Sequence, residues 1–189
     1  MHTTIYMVRH AESPYALGEE KTRGLSREGA QEAKKAADLL EGVEIHAVCS
    51  SSYARARETV QELAERRELP IMEYDELVER SILGLEVQAP WEDIVAAIKR
   101  SFEDEEYALP GGESTRAAQQ RAIPLFERLL EQYAGRSIAI GTHGNIMTII
   151  MNYYDSRFGY DFWQSTSKPD IYRMVFDNRR LTSVERIWK

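Results

Sequence analysis

The stretch TTIYMVRHAES, residues 3–13, decides how the chain folds. Its apolar, β-branched first half predicts a buried strand over residues 3–8, and this strand ends directly at Arg9 and His10. The stretch lacks the basic region that precedes the apolar part of a secretory signal, so we interpret it as part of a folded core. A strand that stops at an arginine and a histidine places both side chains at one edge of a sheet.

The same pattern of short apolar runs separated by helical periodicity continues along the chain. Further strands are predicted at 45–49, around 71, and at 137–140, 170–176 and 181–187, with helices at 26–40, 53–66, 90–102, 114–133 and 145–154. The alternation predicts an α/β fold, a three-layer sandwich with a mostly parallel central sheet. The last two strands are separated only by residues 177–180, which predicts an antiparallel edge.

One segment, about 82–112, fits the alternation least well. It contains an acidic run at 103–106 and the sequence Pro-Gly-Gly at 110–112. We interpret it as a helical insertion over the active-site end of a single domain, 1–189. A solvated excursion from the surface is the alternative. Five apolar residues in it could line a site for an aromatic or lipophilic group or could pack the segment onto the domain: Leu83, Leu85, Val87, Trp91 and Ile94.

Composition limits the classes of partner. Against 24 lysines and arginines stand 31 aspartates and glutamates, a net charge of −7, which argues against binding to nucleic acid or to an anionic membrane. The single cysteine, Cys49, excludes an intramolecular disulfide and a cysteine-based metal site. No apolar run reaches the ~18 residues of a membrane span, so we expect a cytoplasmic protein. Nothing in the composition indicates an oligomeric state.

Three clusters of reactive side chains follow predicted strands. Arg9 and His10 follow the first strand, Arg55 lies in the first turn of the helix after the second, and His143 follows the strand at 137–140. Arg57 is two residues beyond Arg55 and points about 200° away around the helix, so only one of them can face the strand ends. Ligands of open α/β sheets bind beyond the carboxyl ends of the strands. Two guanidiniums and two imidazoles there suit a phosphoryl group.

At these residues the sequence resembles the histidine phosphatase superfamily, also called the phosphoglycerate mutase-like family. Six segments match its motifs in order: Arg9-His10-Ala11, the helix start LSREGAQEA at 25–33, SSYARARET at 51–59, Leu77-Val78-Glu79, PGGES at 110–114, and Thr142-His143-Gly144. The resemblance selects Arg55 rather than Arg57 as the second phosphate arginine. The sequence departs from the family at Ala11, where a glycine is usual, at Ala16, where many members have an asparagine, and at Gly24, where an aspartate is frequent.

The resemblance implies a metal-independent phosphomonoester hydrolase that needs no cofactor. It implies that His10 is the nucleophile and forms a phosphohistidine, that Glu79 is the proton donor, and that Arg9, Arg55, His143 and Ser13 bind the phosphoryl group. Thr22, Arg23 and Gly144 are the expected substrate-binding residues, and the substrate is a small phosphate ester.

Two alternatives use the same residues differently. A mutase of the phosphoglycerate type would pass the phosphoryl group to a second phosphorylated molecule instead of water, although a chain of 189 residues favours the phosphatase. A phospho-ligand binding or regulatory protein would use the pocket without turnover. Glu79 argues against the second alternative, because binding alone does not require a proton donor.

Overall fold

The computed structural model describes residues 1–189 and contains one six-stranded sheet in the order β3-β2-β4-β1-β5-β6. The strands are β1 (His2–Arg9), β2 (Ala47–Ser51), β3 (Ile71–Tyr74), β4 (Ser137–Thr142), β5 (Asp170–Asp177) and β6 (Arg180–Arg186). The helices are α1 (Arg27–Leu39), α2 (Ala54–Arg66), α3 (Trp91–Glu103), α4 (Thr115–Gln132), α5 (Gly144–Tyr154) and α6 (Tyr160–Ser165). A short 3₁₀ turn, Asp75–Leu77, follows β3.

The sheet is parallel except at one edge. β1 pairs in parallel with β4, and β2 pairs in parallel with β4 and β3. β5 runs antiparallel to β1, and β6 runs antiparallel to β5. The predicted fold class, mostly parallel with an antiparallel edge, is therefore confirmed.

Alternation along β1 separates two cores. Ile5 and Met7 point to the face that α4 and α5 cover, whereas Tyr6 and Val8 point to the face that α1 and α2 cover. Successive side chains of a strand point to opposite faces, so one short sequence supplies both layers. The sheet therefore has helices on both sides, which fixes the positions of its strand ends.

One end of the sheet collects the carboxyl ends of the four parallel strands. β1, β2, β3 and β4 finish there because they run in the same direction. β5 is antiparallel to β1 and begins there, with Asp170 opposite Arg9. The loops after β1, β2 and β4 and the loop before β5 consequently meet at the same place, where open α/β sheets bind ligands.

The segment 82–112 closes on itself and contains both packed and exposed residues. Its two ends meet, because the backbone N–H of Glu113 donates to the carbonyl of Ser81 at 2.7 Å. Ile82 and Leu83 pack with Ala97 and Ile98 of α3 in a small core of their own. Within this segment α3 lies over the end of the sheet that carries Arg9. No helix of the fold combines the length and the apolar character needed to cross a membrane.

Candidate active site

His10 lies at the end of β1 with its ring held in one tautomer. Its Nδ1 is 2.7 Å from the carbonyl oxygen of Ala11. A carbonyl can only accept, so Nδ1 carries the hydrogen and Nε2 carries the lone pair. The Nε–H of Arg55 donates to that Nε2 at 3.4 Å. Burial, together with the charge of Arg55, lowers the pKa of His10 well below its usual range, so the imidazole is neutral near pH 7.

His143 follows β4 and faces His10. The two ring centroids are 5.2 Å apart, and the ring planes are inclined by 61°. The Nε2 of His143 lies 2.7 Å from the hydroxyl of Ser51, at the end of β2, while its Nδ1 is buried without a partner. Burial and the charge of Arg55 lower its pKa well below the usual range as well. The two imidazoles form a neutral pair between positive groups.

Arg55 points inward from the first turn of α2, and Arg57 points outward. Arg55 is only 1% exposed, whereas Arg57 pairs at 3.2 Å with Glu73 on the surface. The hydroxyl of Thr59 donates to the carbonyl of Arg55 and accepts the N–H of Ala11. Thr59 therefore ties the start of α2 to the residue that follows His10.

A carboxylate from the loop after β1 already forms an ion pair with Arg55. The Oε1 of Glu20 lies 2.5 Å from Nη2 of Arg55, and the carbonyl of Glu20 accepts from Nη1 at 2.7 Å. The Nε of Arg23 lies 3.5 Å from the other Glu20 oxygen. The sequence analysis did not identify Glu20, because nothing local distinguishes it from neighbouring Glu19.

Arg9 lies flat over the start of α5. A Cβ built at Gly144 would be 2.7 Å from the Arg9 Cζ, so only glycine leaves room for this guanidinium. The Nη1 of Arg9 donates to the carbonyl of Thr166 at 3.2 Å and also contacts its hydroxyl, while Nε is buried without a partner. Burial lowers the pKa of Arg9, and Glu79 opposes that shift. Gly144, expected to bind substrate, thus lies beneath Arg9, which is expected to bind phosphate.

Glu79 is fixed on the N-terminus of α5. Its Oε1 accepts from the backbone N–H groups of Ile146 at 2.8 Å and Arg80 at 2.9 Å, and its Oε2 accepts from that of Asn145 at 3.0 Å. Backbone donors at a helix N-terminus favour a carboxylate there. A carboxylate has about four acceptor positions, so one on Oε2 stays free.

Arg80, which the sequence analysis missed, joins three elements behind Glu79. Its Nη2 donates to the hydroxyl of Ser101 on α3 and to the side-chain oxygen of Asn145 on α5, both at 2.9 Å. Its Nη1 reaches Thr115, the first residue of α4, at 3.5 Å. Burial lowers the pKa of Arg80 to about 10, which leaves it charged at neutral pH.

The three predicted loop residues differ in their placement. The hydroxyl of Ser13 donates to the carbonyl of Gly24 at 2.7 Å and accepts from Nη1 of Arg23 at 2.8 Å. A phosphate contact by Ser13 would therefore require exchange of its bond to Gly24. Arg23 is half-buried and its charge acts on His143. Thr22 is exposed, and its backbone N–H closes a turn onto the carbonyl of Glu19.

A fourth cation, Lys168, stands before β5 and was also missed. Partial burial, then the charges of Arg9 and Arg23, lower its pKa. The antiparallel direction of β5 brings this lysine to the edge where the parallel strands end. The sequence did not show that β5 lies beside β1, so it gave no signal that Lys168 would lie near Arg9.

The chain matches the family model of the histidine phosphatase superfamily, branch 1, over residues 5–186. The chain belongs to that superfamily. The resemblance drawn from the six motifs is confirmed.

Known members of the superfamily resemble the chain in sequence or in fold. A 2,3-bisphosphoglycerate-dependent phosphoglycerate mutase of Parvibaculum lavamentivorans is 28% identical over 173 residues, covering 82% of this chain and 81% of that protein. A mycobacterial glucosyl-3-phosphoglycerate phosphatase superposes with a TM-score of 0.76 at 20% identity, over 98% and 97% of the two chains. A phosphoserine phosphatase of Entamoeba histolytica, solved as a mutant with phosphoserine, gives 0.76 at 18%, over 96% of each chain.

Proposed function

We propose that this protein is a phosphomonoester hydrolase that acts through a phosphohistidine on His10 and needs no metal. The observation that carries the proposal is the fixed tautomer of His10. Its Nδ1 hydrogen is held by the carbonyl of Ala11 at 2.7 Å, and its unprotonated Nε2 accepts only a long hydrogen bond, 3.4 Å, from Arg55 beside His143. A neutral imidazole with one nitrogen anchored and the other unprotonated is a suitable nucleophile once Arg55 turns to the phosphoryl group.

The charges around His10 suit a phosphate dianion. Four cations, Arg9, Arg23, Arg55 and Lys168, act on the two histidines or on one another. Glu20 opposes them, and so does Glu79 when it is ionised, which leaves a surplus of at least two positive charges. In our proposal Arg9, Arg55 and His143 hold the phosphoryl oxygens, and Ser13 joins them after releasing Gly24.

The first step transfers the phosphoryl group to the protein. The lone pair on Nε2 of His10 attacks phosphorus, and the bond between phosphorus and the leaving oxygen breaks with its electron pair on that oxygen. Glu79 donates a proton to the leaving oxygen from Oε2, whose remaining acceptor position can carry it. The alcohol departs, and Glu79 is left ionised.

The second step returns the protein to its starting state. Glu79 removes a proton from water, the water oxygen attacks phosphorus, and the nitrogen–phosphorus bond breaks with its electron pair on Nε2. Inorganic phosphate leaves, His10 is again neutral, and Glu79 again carries a proton. In our proposal Arg23 and Thr22 lie at the entrance of the active site and contact the leaving group of the substrate.

The family and the folds of its neighbours support a phosphatase. Two structures with the same fold are named as phosphatases of small phosphate esters. The mutase from Parvibaculum lavamentivorans, the curated relative by sequence, favours a second candidate. A mutase would share the first step and pass the phosphoryl group from His10 to a phosphorylated acceptor.

A labelling experiment tests the proposal. The intact protein is incubated briefly with a radiolabelled phosphate ester and quenched in alkali, where phosphohistidine survives. We expect label on His10 in the wild type and none in His10→Ala, together with release of inorganic phosphate. Isomerised phosphoglycerate without phosphate release would indicate the mutase. Ligand binding without label or release would indicate a binding protein, and full hydrolysis by His10→Ala would overturn the phosphohistidine.

A further inference from the structure

A cleft of about 610 Å³ is lined by Arg9 but by neither His10 nor His143. One wall is α3, with Trp91 and Val95, and the other is α6 with the loop that follows it. That second wall carries Trp163, Gln164, Thr166 and Lys168. Because Arg9 lines the cleft and also lies beside the candidate phosphate site, an ester held at His10 would extend its leaving group between these walls.

We propose that this cleft is a leaving-group subsite for a flat ring that carries an anionic substituent. The inference rests on the proposed function, because it assigns the part of the substrate that His10 does not touch. Trp91 and Trp163 would hold the ring, and Lys168 would bind the negative group.

The apolar side of the subsite is an indole that the fold leaves uncovered. Trp91 is 66% exposed at the first position of α3, and Val95 lies one turn later on the same face. The packing of α3 does not need Trp91, because Leu83 and Ile94 belong to the small core that holds the segment in place. The exposed indole of Trp91 can therefore stack on a ligand ring without disturbing the packing of α3.

The opposite wall is fixed in place. Trp163 packs against the same small core, and its ring centroid lies 5.9 Å from that of Tyr160. Lys99 stands 5.8 Å from the Tyr160 ring centroid and so supports this wall from α3. The cleft thus combines aromatic side chains with polar groups that can fix the orientation of a small ligand.

The polar side of the subsite is cationic. Lys168 makes no ion pair within the protein, although 16 such pairs occur elsewhere. Arg9 is only 8% exposed, and its Nε has no hydrogen-bond partner. Because Arg9 is assigned to the phosphoryl group, Lys168 is the cation in the cleft that favours a second negative charge on the substrate, beyond the phosphoryl group itself.

Calorimetric titration with phosphonates tests this inference without turnover. The three probes are methylphosphonate, phenylphosphonate and 4-carboxyphenylphosphonate, whose carbon–phosphorus bond His10 cannot break by the proposed route. For the wild type we expect phenylphosphonate to bind about tenfold more tightly than methylphosphonate, in line with aromatic contacts. The carboxylate should add a further factor of roughly three.

Matched variants assign each gain to its residue. Trp91→Ala should remove most of the preference for phenylphosphonate and leave the affinity for methylphosphonate unchanged. Lys168→Gln should remove the extra affinity for 4-carboxyphenylphosphonate over phenylphosphonate. It should keep the extra affinity for phenylphosphonate over methylphosphonate. Tyr153→Ala, an exposed aromatic residue at the end of α5, and Lys35→Gln, an exposed lysine on α1, are the controls and should change neither ratio.

The outcomes separate this inference from the proposed function. Equal wild-type affinities for the three phosphonates, with label still formed on His10, would overturn the subsite and leave the hydrolase standing. A ring preference that survives Trp91→Ala and Trp163→Leu would also overturn it. Failure of all three phosphonates to bind, with no label on His10, would overturn both.

Discussion

Gly144 lies directly beneath the guanidinium of Arg9, so closely that a Cβ at position 144 would be 2.7 Å from the Arg9 Cζ. Gly144→Ala should therefore displace Arg9 while favouring α5, since alanine is the better helix former. We expect kcat/KM for a phosphate ester to fall by about 10²–10³ with no loss of Tm. Gly42→Ala, where a Cβ meets nothing within 4 Å, is the control. Undiminished turnover in Gly144→Ala would show that the position of Arg9 is not needed.

Arg55 and Arg57 provide a matched pair on one helix. Arg55→Ala removes a buried donor 3.4 Å from His10, and Arg57→Ala removes a half-exposed partner of Glu73. We expect kcat to fall by about 10²–10³ in the first variant and to stay within a factor of two in the second. Steady-state kinetics on an aryl phosphate measure both. Similar losses in the two variants would contradict the assignment of Arg55 to the phosphoryl group.

Glu20 competes with phosphate for Arg55. Its carboxylate lies 2.5 Å from Nη2, on the guanidinium that the phosphoryl group would use. Glu20→Gln should therefore tighten competitive inhibition by inorganic phosphate about fivefold, because one partly exposed negative charge is removed. Glu19→Gln, an exposed neighbour, should leave the inhibition constant unchanged. Weaker inhibition in Glu20→Gln would mean that Glu20 positions Arg55 rather than shielding it.

Glu79→Gln should affect substrates according to their leaving group. The amide keeps the shape of the side chain but cannot donate a proton to an alkoxide, so an alkyl phosphate should lose about 10²–10⁴ in kcat. An aryl leaving group needs little protonation and should lose less. The measurement is the ratio of the two losses in the same variant, with Glu76→Gln as the control. Equal losses would indicate that another group is the acid. Glu113 is a poor candidate for that role, because it is ion-paired with Arg121 at 2.7 Å.

The buried histidines should make stability depend on pH. The pKa values of His10 and His143 lie well below the ordinary 6.5 in the folded protein, so the unfolded chain binds more protons as the pH falls. Their contribution is present above about pH 6.5 and is lost below it, at up to about 1.4 kcal/mol per pH unit for each histidine. Urea unfolding at pH 7, 6 and 5 should show this fall.

The variant His143→Asn removes one of the two titrating groups. Its free energy of unfolding should therefore fall less steeply between pH 6.5 and 5 than that of the wild type. The comparison holds when the m values of the two proteins agree, because the midpoints then report stability. If the free energy of unfolding falls equally steeply with pH in both proteins, the imidazole of His143 is not buried as the structure has it.

Much of the sheet edge was predictable because strand ends and helix turns obey simple geometry. Because β1 stops at Arg9, Arg9 and His10 were expected at the end of the sheet where the parallel strands finish. The helical rotation of 100° per residue showed that Arg55 and Arg57 point in different directions. The roles of these side chains in catalysis stay predictions. The helix α6 was not predicted, since six residues are too few for a periodic signal.

Contacts between distant loops were beyond the sequence. The ion pair between Glu20 and Arg55 joins residues 35 positions apart, and no local pattern encodes it. The apolar residues of 82–112 also divided in a way that composition did not reveal: Leu83 and Ile94 pack inward, whereas Leu85, Val87 and Trp91 remain exposed. Only Trp91 and Ile94 lie on α3, and tertiary packing decides which of the five face the domain.

Arg80 has a consequence for redesign of the cleft. Its guanidinium joins Ser101, Thr115 and Asn145, and the residue before it in the chain is Glu79. Under the proposed function, exchange of Trp91 and Val95 on the outward face of α3 should change which leaving groups are accepted. Ser101 on the inward face is hydrogen-bonded to Arg80, the residue after Glu79, so such exchanges should leave the position of Glu79 unchanged.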